Sequence, residues 1–221
     1  MDVRPLGIGH SLIRLAHREV MQQCKSEVRE FLEPYQLGQS QAGAAKLVLV
    51  VRSVLDLHPN WVCVVTDIKN CYNEQNRRAV LDLLLTTPSL SHLVTFAAAV
   101  LAPRRTLEAR GKVWGSTGTG HVQGDPTSSG FQSIGMQPSL ERLSADCAPG
   151  VARAGADDVF ALGPRHVVLP AIQCFASDIK ERCGLSLQWG KSFVYCREGE
   201  LPEYAAPGLT MAEEQVGDHF L

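Results

Sequence analysis

The sequence is short of the features that mark several function classes. Lysine and arginine total 21 against 23 aspartates and glutamates, a formal net charge of -2. There is therefore no overall basic field of the kind that lets a whole domain track nucleic acid, and any such contact must be local. The seven cysteines are odd in number, never at CxxC spacing, and mostly set in apolar or helical runs. That pattern excludes a disulfide framework and a zinc cluster and reads as reduced core residues of an intracellular protein. No charged-then-apolar leader opens the sequence and no run of 18 apolar residues occurs, so a soluble protein of cytoplasm or nucleus, with no membrane partner, is expected. Internal repeats and low-complexity segments are also missing. What is present is 221 residues with 45% hydrophobic content, enough for one large domain or two small ones around a real core.

Periodicity places the elements. Residues 11–33 carry apolar positions at helical spacing among charges, with Ser11 as cap and Pro34 as stop. A second helix, 42–57, is apolar enough to be covered on both faces. Residues 61–66 form a β-branched run without alternation, the mark of a central buried strand, and its end delivers Asp67. Helices are expected over 74–85 and 90–101, then a hairpin pairing 106–109 with 113–115 across Arg110-Gly111-Lys112. A glycine- and threonine-rich loop leads to Pro126, which opens a helix to Leu143. Strands over 151–154 and 159–162, a helix over 165–183, and strands over 185–188 and 193–196 complete the order. The alternation fits an α+β layer with helices on one face of an antiparallel sheet.

The chemistry-bearing stretch is Ala154-Gly155-Ala156-Asp157-Asp158-Val159-Phe160-Ala161-Leu162-Gly163, two adjacent aspartates at a hairpin tip. Taken alone the pair fits a solvated turn. Like charges on a tight turn also raise each other's pKa unless a cation neutralises them. If neighbouring strands bring Asp67 to the same sheet edge, three carboxylates converge into a site for hard divalent cations. A pair of such ions about 3.5–4 Å apart activates an attacking oxygen and stabilises a leaving one in phosphoryl transfer.

Several stretches occur in the order found in reverse transcriptases. Val65-Thr66-Asp67-Ile68-Lys69-Asn70-Cys71-Tyr72-Asn73 resembles the family's first palm motif. Val122-Gln123-Gly124-Asp125-Pro126 is similar to its QGDP turn, and Ala156-Asp157-Asp158-Val159 to its paired-aspartate motif. Gly184-Leu185-Ser186-Leu187-Gln188-Trp189-Gly190-Lys191-Ser192 resembles the GL-x-LN-x-x-K segment that follows. Upstream, Arg4-Pro5-Leu6-Gly7-Ile8-Gly9 and Tyr35-Gln36-Leu37-Gly38 look like the RPI and QxG segments of the fingers, in the flavour of retrotransposons without long terminal repeats. The resemblance runs from Arg4 to about Cys196.

It implies a right-hand polymerase fold: residues 1–60 as a fingers-like region, 61–200 as palm with a fingers hairpin around 104–116, and 201–221 unassigned. The implied activity is RNA-directed DNA polymerisation, with an RNA template, a DNA primer and deoxynucleoside triphosphates as partners. Asp67 and Asp157 would hold two Mg²⁺ (or Mn²⁺) ions, with Asp158 helping less directly, and Lys191 would approach the triphosphate and protonate leaving pyrophosphate. Arg4, Ile68, Gln123 and Gly124 would line the nucleotide, and Tyr72 would press on its sugar and exclude ribonucleotides. Asp125 and Pro126 shape the turn. The pairs Arg77-Arg78 and Arg104-Arg105 are either phosphate contacts or solvated faces. Two departures stand out: Gly155 replaces the aromatic usual two residues before the first aspartate of the pair, and 127–130 reads Thr-Ser-Ser-Gly where bulkier residues are usual. The sequence after Cys196 is short for a thumb, and no endonuclease or ribonuclease H segment is visible, so a piece of a larger retroelement polyprotein is expected. A non-catalytic, polymerase-like binding module and an RNA-directed RNA polymerase remain as alternatives. The latter is disfavoured by Tyr72, which stands where a polar residue would accept the ribose hydroxyl.

Overall fold

The computed structural model describes residues 9–197 and 210–211. In chain order the helices and strands are α1 (Ser11–Gln23), α2 (Lys25–Leu32), α3 (Gly43–Leu57), β1 (Val62–Asp67), α4 (Cys71–Glu74), α5 (Arg77–Thr86), α6 (Val94–Leu101), β2 (Arg105–Ala109), β3 (Lys112–Thr117), α7 (Ser128–Asp146), β4 (Val151–Gly155), β5 (Asp158–Gly163), α8 (Arg165–Cys183), β6 (Phe193–Cys196) and β7 (Thr210–Met211). The main sheet runs β4-β5-β1-β6-β7. Its first four strands are antiparallel, and β7 adds to β6 in parallel. The hairpin β2–β3 forms a separate two-stranded sheet, closed by Arg110 and Gly111 at positive φ of 52° and 70°.

β1 is central, as its unbroken apolar run requires. Val62 and Val64 face a core shared with Met136 and Leu140 of α7 and Phe175 and Ile179 of α8. Cys63, on the opposite face, packs with Leu162 of β5 and Leu55 of α3. Helices therefore cover both faces of the sheet, where one was expected: a strand that is apolar on both sides must bury both. A second core joins α2, α5, α6 and the start of α7 around Leu32, Val80, Leu84 and Phe131.

Local differences from the sequence reading have local causes. The expected 11–33 helix bends at Cys24 (φ -94°, ψ 11°), and the cap is His10, whose Nδ1 accepts the Leu12 amide at 3.3 Å. In α3, Leu47 and Leu55 are buried but Val48, Leu49 and Leu57 are 39%, 63% and 76% exposed, so only one face is covered. The helix expected over 74–85 splits into α4 and α5, the latter capped by the Asn76 side chain accepting from Arg78 N. The one over 90–101 begins as a 3₁₀ turn, Pro88–Leu93. Residues 185–188 make a single bridge, Leu187 to Ile68, and no full strand.

Arg77 also departs from expectation. It is 7% exposed, and its guanidinium donates to the carbonyls of Gly120, Leu101, Pro103 and Thr119 at 2.6–3.2 Å. It fastens the base of the β2–β3 hairpin to α5 and is not a surface phosphate contact, whereas Arg78 pairs with Asp82 on an exposed face. Arg77→Met keeps the volume and strands these carbonyls. It should cost about 2–4 kcal/mol in denaturant unfolding, because bonds to charged groups contribute about 1.5–3 kcal/mol and buried orphans add to the loss; a change below about 0.5 kcal/mol would contradict the role assigned to this side chain.

Candidate active site at the edge of the central sheet

The register of β1 against β5 builds the site. Val62 lies opposite Gly163, and the pairing runs unbroken to Asp67 opposite Asp158. Directly opposed residues of an antiparallel pair share a face with their Cβ atoms about 4.5–5.5 Å apart. Asp67 and Asp158 are thus cross-strand neighbours, and Asp157 occupies the two-residue turn between β4 and β5 just before Asp158.

The other side of Asp67 is fixed by the stretch leading into β6. Asp67 N donates to Ser192 Oγ at 3.3 Å, Ser192 Oγ donates to the Gln188 carbonyl at 3.0 Å, and Gln188 N returns to the Asp67 carbonyl at 2.8 Å. This closed loop sets Lys191 beside the carboxylate, with Nζ 4.0 Å from Asp67 Oδ2. Ser192 is wholly buried, a role that sequence reading did not assign and that only its place one residue after Lys191 could have hinted at.

Asp158 reaches solvent, yet the protein mass around it, then the charges of Asp157 and Asp67, hold its carboxyl above the ordinary aspartate range. Burial contributes most to this shift and the neighbouring charges less. Asp157 also acts on the Tyr72 phenol, which burial first of all pushes upward while a hydrogen bond with Ser129 pulls the other way. Gln39 Nε2 donates to the same Ser129 hydroxyl, which ties the loop before α3 to the start of α7.

The stretch leading into Gln123 and Gly124 is tied to the Tyr72 main chain, because the His121 amide donates to the Tyr72 carbonyl. Gln123 Oε1 is buried without a partner among the described residues, and Gly124 takes φ 103°. Asp125 anchors the start of α7: its carboxylate accepts from Thr127 N at 2.9 Å and Thr127 Oγ1 at 2.6 Å, and from His17 Nδ1 at 2.9 Å. Burial alone would raise this carboxyl, but Thr127 and His17 outweigh burial and hold it low. His17 was missed in the sequence, where it reads as one more polar residue of an exposed helix.

Other expected site residues fare differently. Ile68 is 2% exposed and its side chain belongs to the core, so it can offer a ligand only backbone. Arg4 lies outside the described residues. The place of the missing aromatic at Gly155 is taken: a Cβ there would meet Leu47 Cδ2 of α3 at 3.0 Å.

Among the described residues no three His, Cys, Asp or Glu side chains are gathered as a ready metal cage. The three aspartates are neighbours through backbone register and mutual charge. That donor set still fits a hard cation, since Mg²⁺ is commonly held by one or two carboxylates with water and substrate phosphates completing its shell. Among the described residues no helix is long and apolar enough to cross a membrane.

No family model and no curated protein matches the chain. Solved structures do. Apo telomerase from Candida tropicalis truncated from its C-terminal domain aligns with a TM-score of 0.62 at 14% identity, over 87% of this chain and 42% of that one. Full apo telomerase from the same organism gives 0.61 at 14%, over 86% and 36%. Telomerase from Candida albicans in complex with the TWJ fragment of telomeric RNA gives 0.55 at 14%, over 86% and 35%. The chain thus spans less than half the length of these structures. The likeness gives this chain the fold of the matched part of those telomerase structures, mixed helices with an antiparallel sheet.

The raised Asp158 carboxyl has a definite sign. A folded pKa above the unfolded one means that the folded state binds more protons, so this group's contribution to stability is fully present at low pH and lost as pH rises through the folded value. Asp158→Asn should therefore raise Tm of the metal-free protein at pH 7. The gain should shrink as pH falls below the usual aspartate range. A Tm that falls at pH 7, or a gain that is independent of pH, would contradict a raised carboxyl at Asp158.

Proposed function

We propose that this chain is the core of an RNA-directed DNA polymerase encoded by a retroelement, with residues 1–60 and the β2–β3 hairpin as fingers and 61–200 as palm. The observation that carries the reading is the meeting of Asp67 with Asp157 and Asp158 at one sheet edge beside Lys191, in a fold like that of telomerase. Asp67 and Asp157 would hold the divalent cations, Mg²⁺ or Mn²⁺, with Asp158 shaping their field. When bound, two such ions activate the primer's terminal oxygen and stabilise the leaving pyrophosphate.

The chain's own residues do the rest. Lys191 faces the triphosphate and passes a proton to the departing pyrophosphate oxygen. The half-buried Tyr72 ring lies against the sugar and clashes with a 2′-hydroxyl, selecting by exclusion and without an added contact to the correct substrate. The unpartnered Gln123 Oε1 and the open backbone of Gly124 form the floor under the incoming nucleotide. An RNA template accords with the RNA-bound telomerase neighbour. The thumb and other functions of the element would come from further sequence of a polyprotein.

Primer extension tests the metal assignment. With a DNA primer on an RNA template and Mn²⁺, Asp67→Asn and Asp157→Asn should each lose at least a hundredfold in rate, as befits loss of charge stabilisation at the reacting centre, while the circular dichroism stays that of the parent. Unchanged extension by either variant would refute it, and a folded parent that binds primer-template yet never extends it would favour a binding module.

Sugar selection tests the polymerase class separately. The parent should prefer deoxynucleotides, and Tyr72→Val should lose roughly tenfold or more of that discrimination by accepting ribonucleotides. Equal use of both sugars by the parent would point to an RNA polymerase instead.

A further inference from the structure

Gln36 is 0% exposed, and a polar side chain so placed must have its hydrogen bonds met from within. It meets them at one spot. Its Oε1 accepts from Ala156 N at 2.9 Å and from Gly38 N at 2.9 Å, and its Nε2 donates to the Ala156 carbonyl at 3.0 Å. A single carboxamide thus reads both the N–H and the C=O of one turn residue far away in sequence. Ala156 has φ 65°, a left-handed conformation that a residue with a Cβ resists.

The geometry makes the contact specific. Ala156 N belongs to the peptide plane on one side of the residue and its carbonyl to the plane on the other, so holding both fixes φ and ψ together. The second plane leads directly into Asp157. Around the contact, residues 35–38 lie along β4 as an added edge: Leu37 N donates to the Ala154 carbonyl at 2.7 Å, and Ala154 N to the Tyr35 carbonyl at 2.8 Å. Gly38 completes the fit, since a Cβ there would come within 2.7 Å of Ala156 N.

We infer that Gln36 is a positioning residue for Asp157: it locks the left-handed turn at Ala156 from both sides and so sets the direction in which the Asp157 carboxylate leaves the sheet edge. The link from this lock to cation binding rests on the polymerase reading above; the lock itself does not. A carboxylate left to swing on a free turn holds its ion with an ordering cost that a fixed one avoids.

Gln36→Met keeps length and volume and removes all three bonds. Amide hydrogen exchange on the metal-free protein should quicken at least tenfold at Ala156 and Asp157 while the β1 amides keep their protection, and the Kd for Mn²⁺ alone, followed by the paramagnetic resonance of free Mn²⁺, should rise by about tenfold. Ile134→Val, a trim in the second core, should lower Tm and change neither. Should Gln36→Met not fold, Gln36→Asn, whose carboxamide stops one methylene short of Ala156, is measured in its place. Unchanged exchange at Ala156 and Asp157 would overturn the lock, and quickened exchange with an unaltered Kd for Mn²⁺ would overturn the positioning role. A parent that binds no Mn²⁺ would sink the polymerase reading and the positioning role with it, leaving the exchange data to decide the lock alone.

Discussion

The antiparallel register between β1 and β5 is the constraint on which the rest depends. With Val62 opposite Gly163, the pairing can end only with Asp67 opposite Asp158. A slip of one residue would turn every side chain of β1 to the other face. The register is held because each face has its own cover: α7 and α8 bury Val62 and Val64, while α3 buries Cys63. Apolar packing thereby forces two like charges together at the strand ends, an arrangement that neither carboxylate would adopt if left to itself.

The surrounding structure absorbs that cost in small pieces. Lys191 supplies a positive charge on the β6 side, placed by the Ser192–Gln188 loop. Bonds from the Gln36 side chain hold the turn that carries Asp157. At the start of α7, Asp125 ties α1 to that helix through His17 and Thr127, so the loop bearing Gln123 and Gly124 is set by the same helix whose other half packs on the sheet. Core, charge and loop are therefore linked mechanically: the helices that bury the sheet also aim the polar groups at its edge.

The sequence was most legible where one physical signal dominated. The β-branched run of β1, the glycine-flanked aspartate hairpin and α8 between Pro164 and Gly184 were readable because strand propensity and turn chemistry acted alone. The bend at Cys24 was not, since neither proline nor glycine marks it and helical spacing continues through it. Arg77 reads as half of a surface doublet; its burial depends on carbonyls gathered from residues 101–120, which no local pattern reveals. Helix α3 is apolar enough to look enclosed, yet tertiary contacts cover one face only. At the sheet edge, the approach of Asp67 to Asp158 was legible because each ends a readable strand, whereas Gln36 and Ser192 act on backbone that is remote in sequence and showed no sign beyond the QxG and K-S pairs around them.

The most direct measurement is a map of paramagnetic broadening of backbone amides by sub-stoichiometric Mn²⁺, without nucleic acid. If the register of β1 and β5 has built a cation site, the first signals to vanish will be those of Asp67, Ala156, Asp157 and Asp158, followed by Lys191, while the amides near the buried carboxylate of Asp178 and those of the β2–β3 hairpin persist. Broadening centred on Asp178 or spread evenly over the acidic surface would contradict the sheet edge as the place where cations bind.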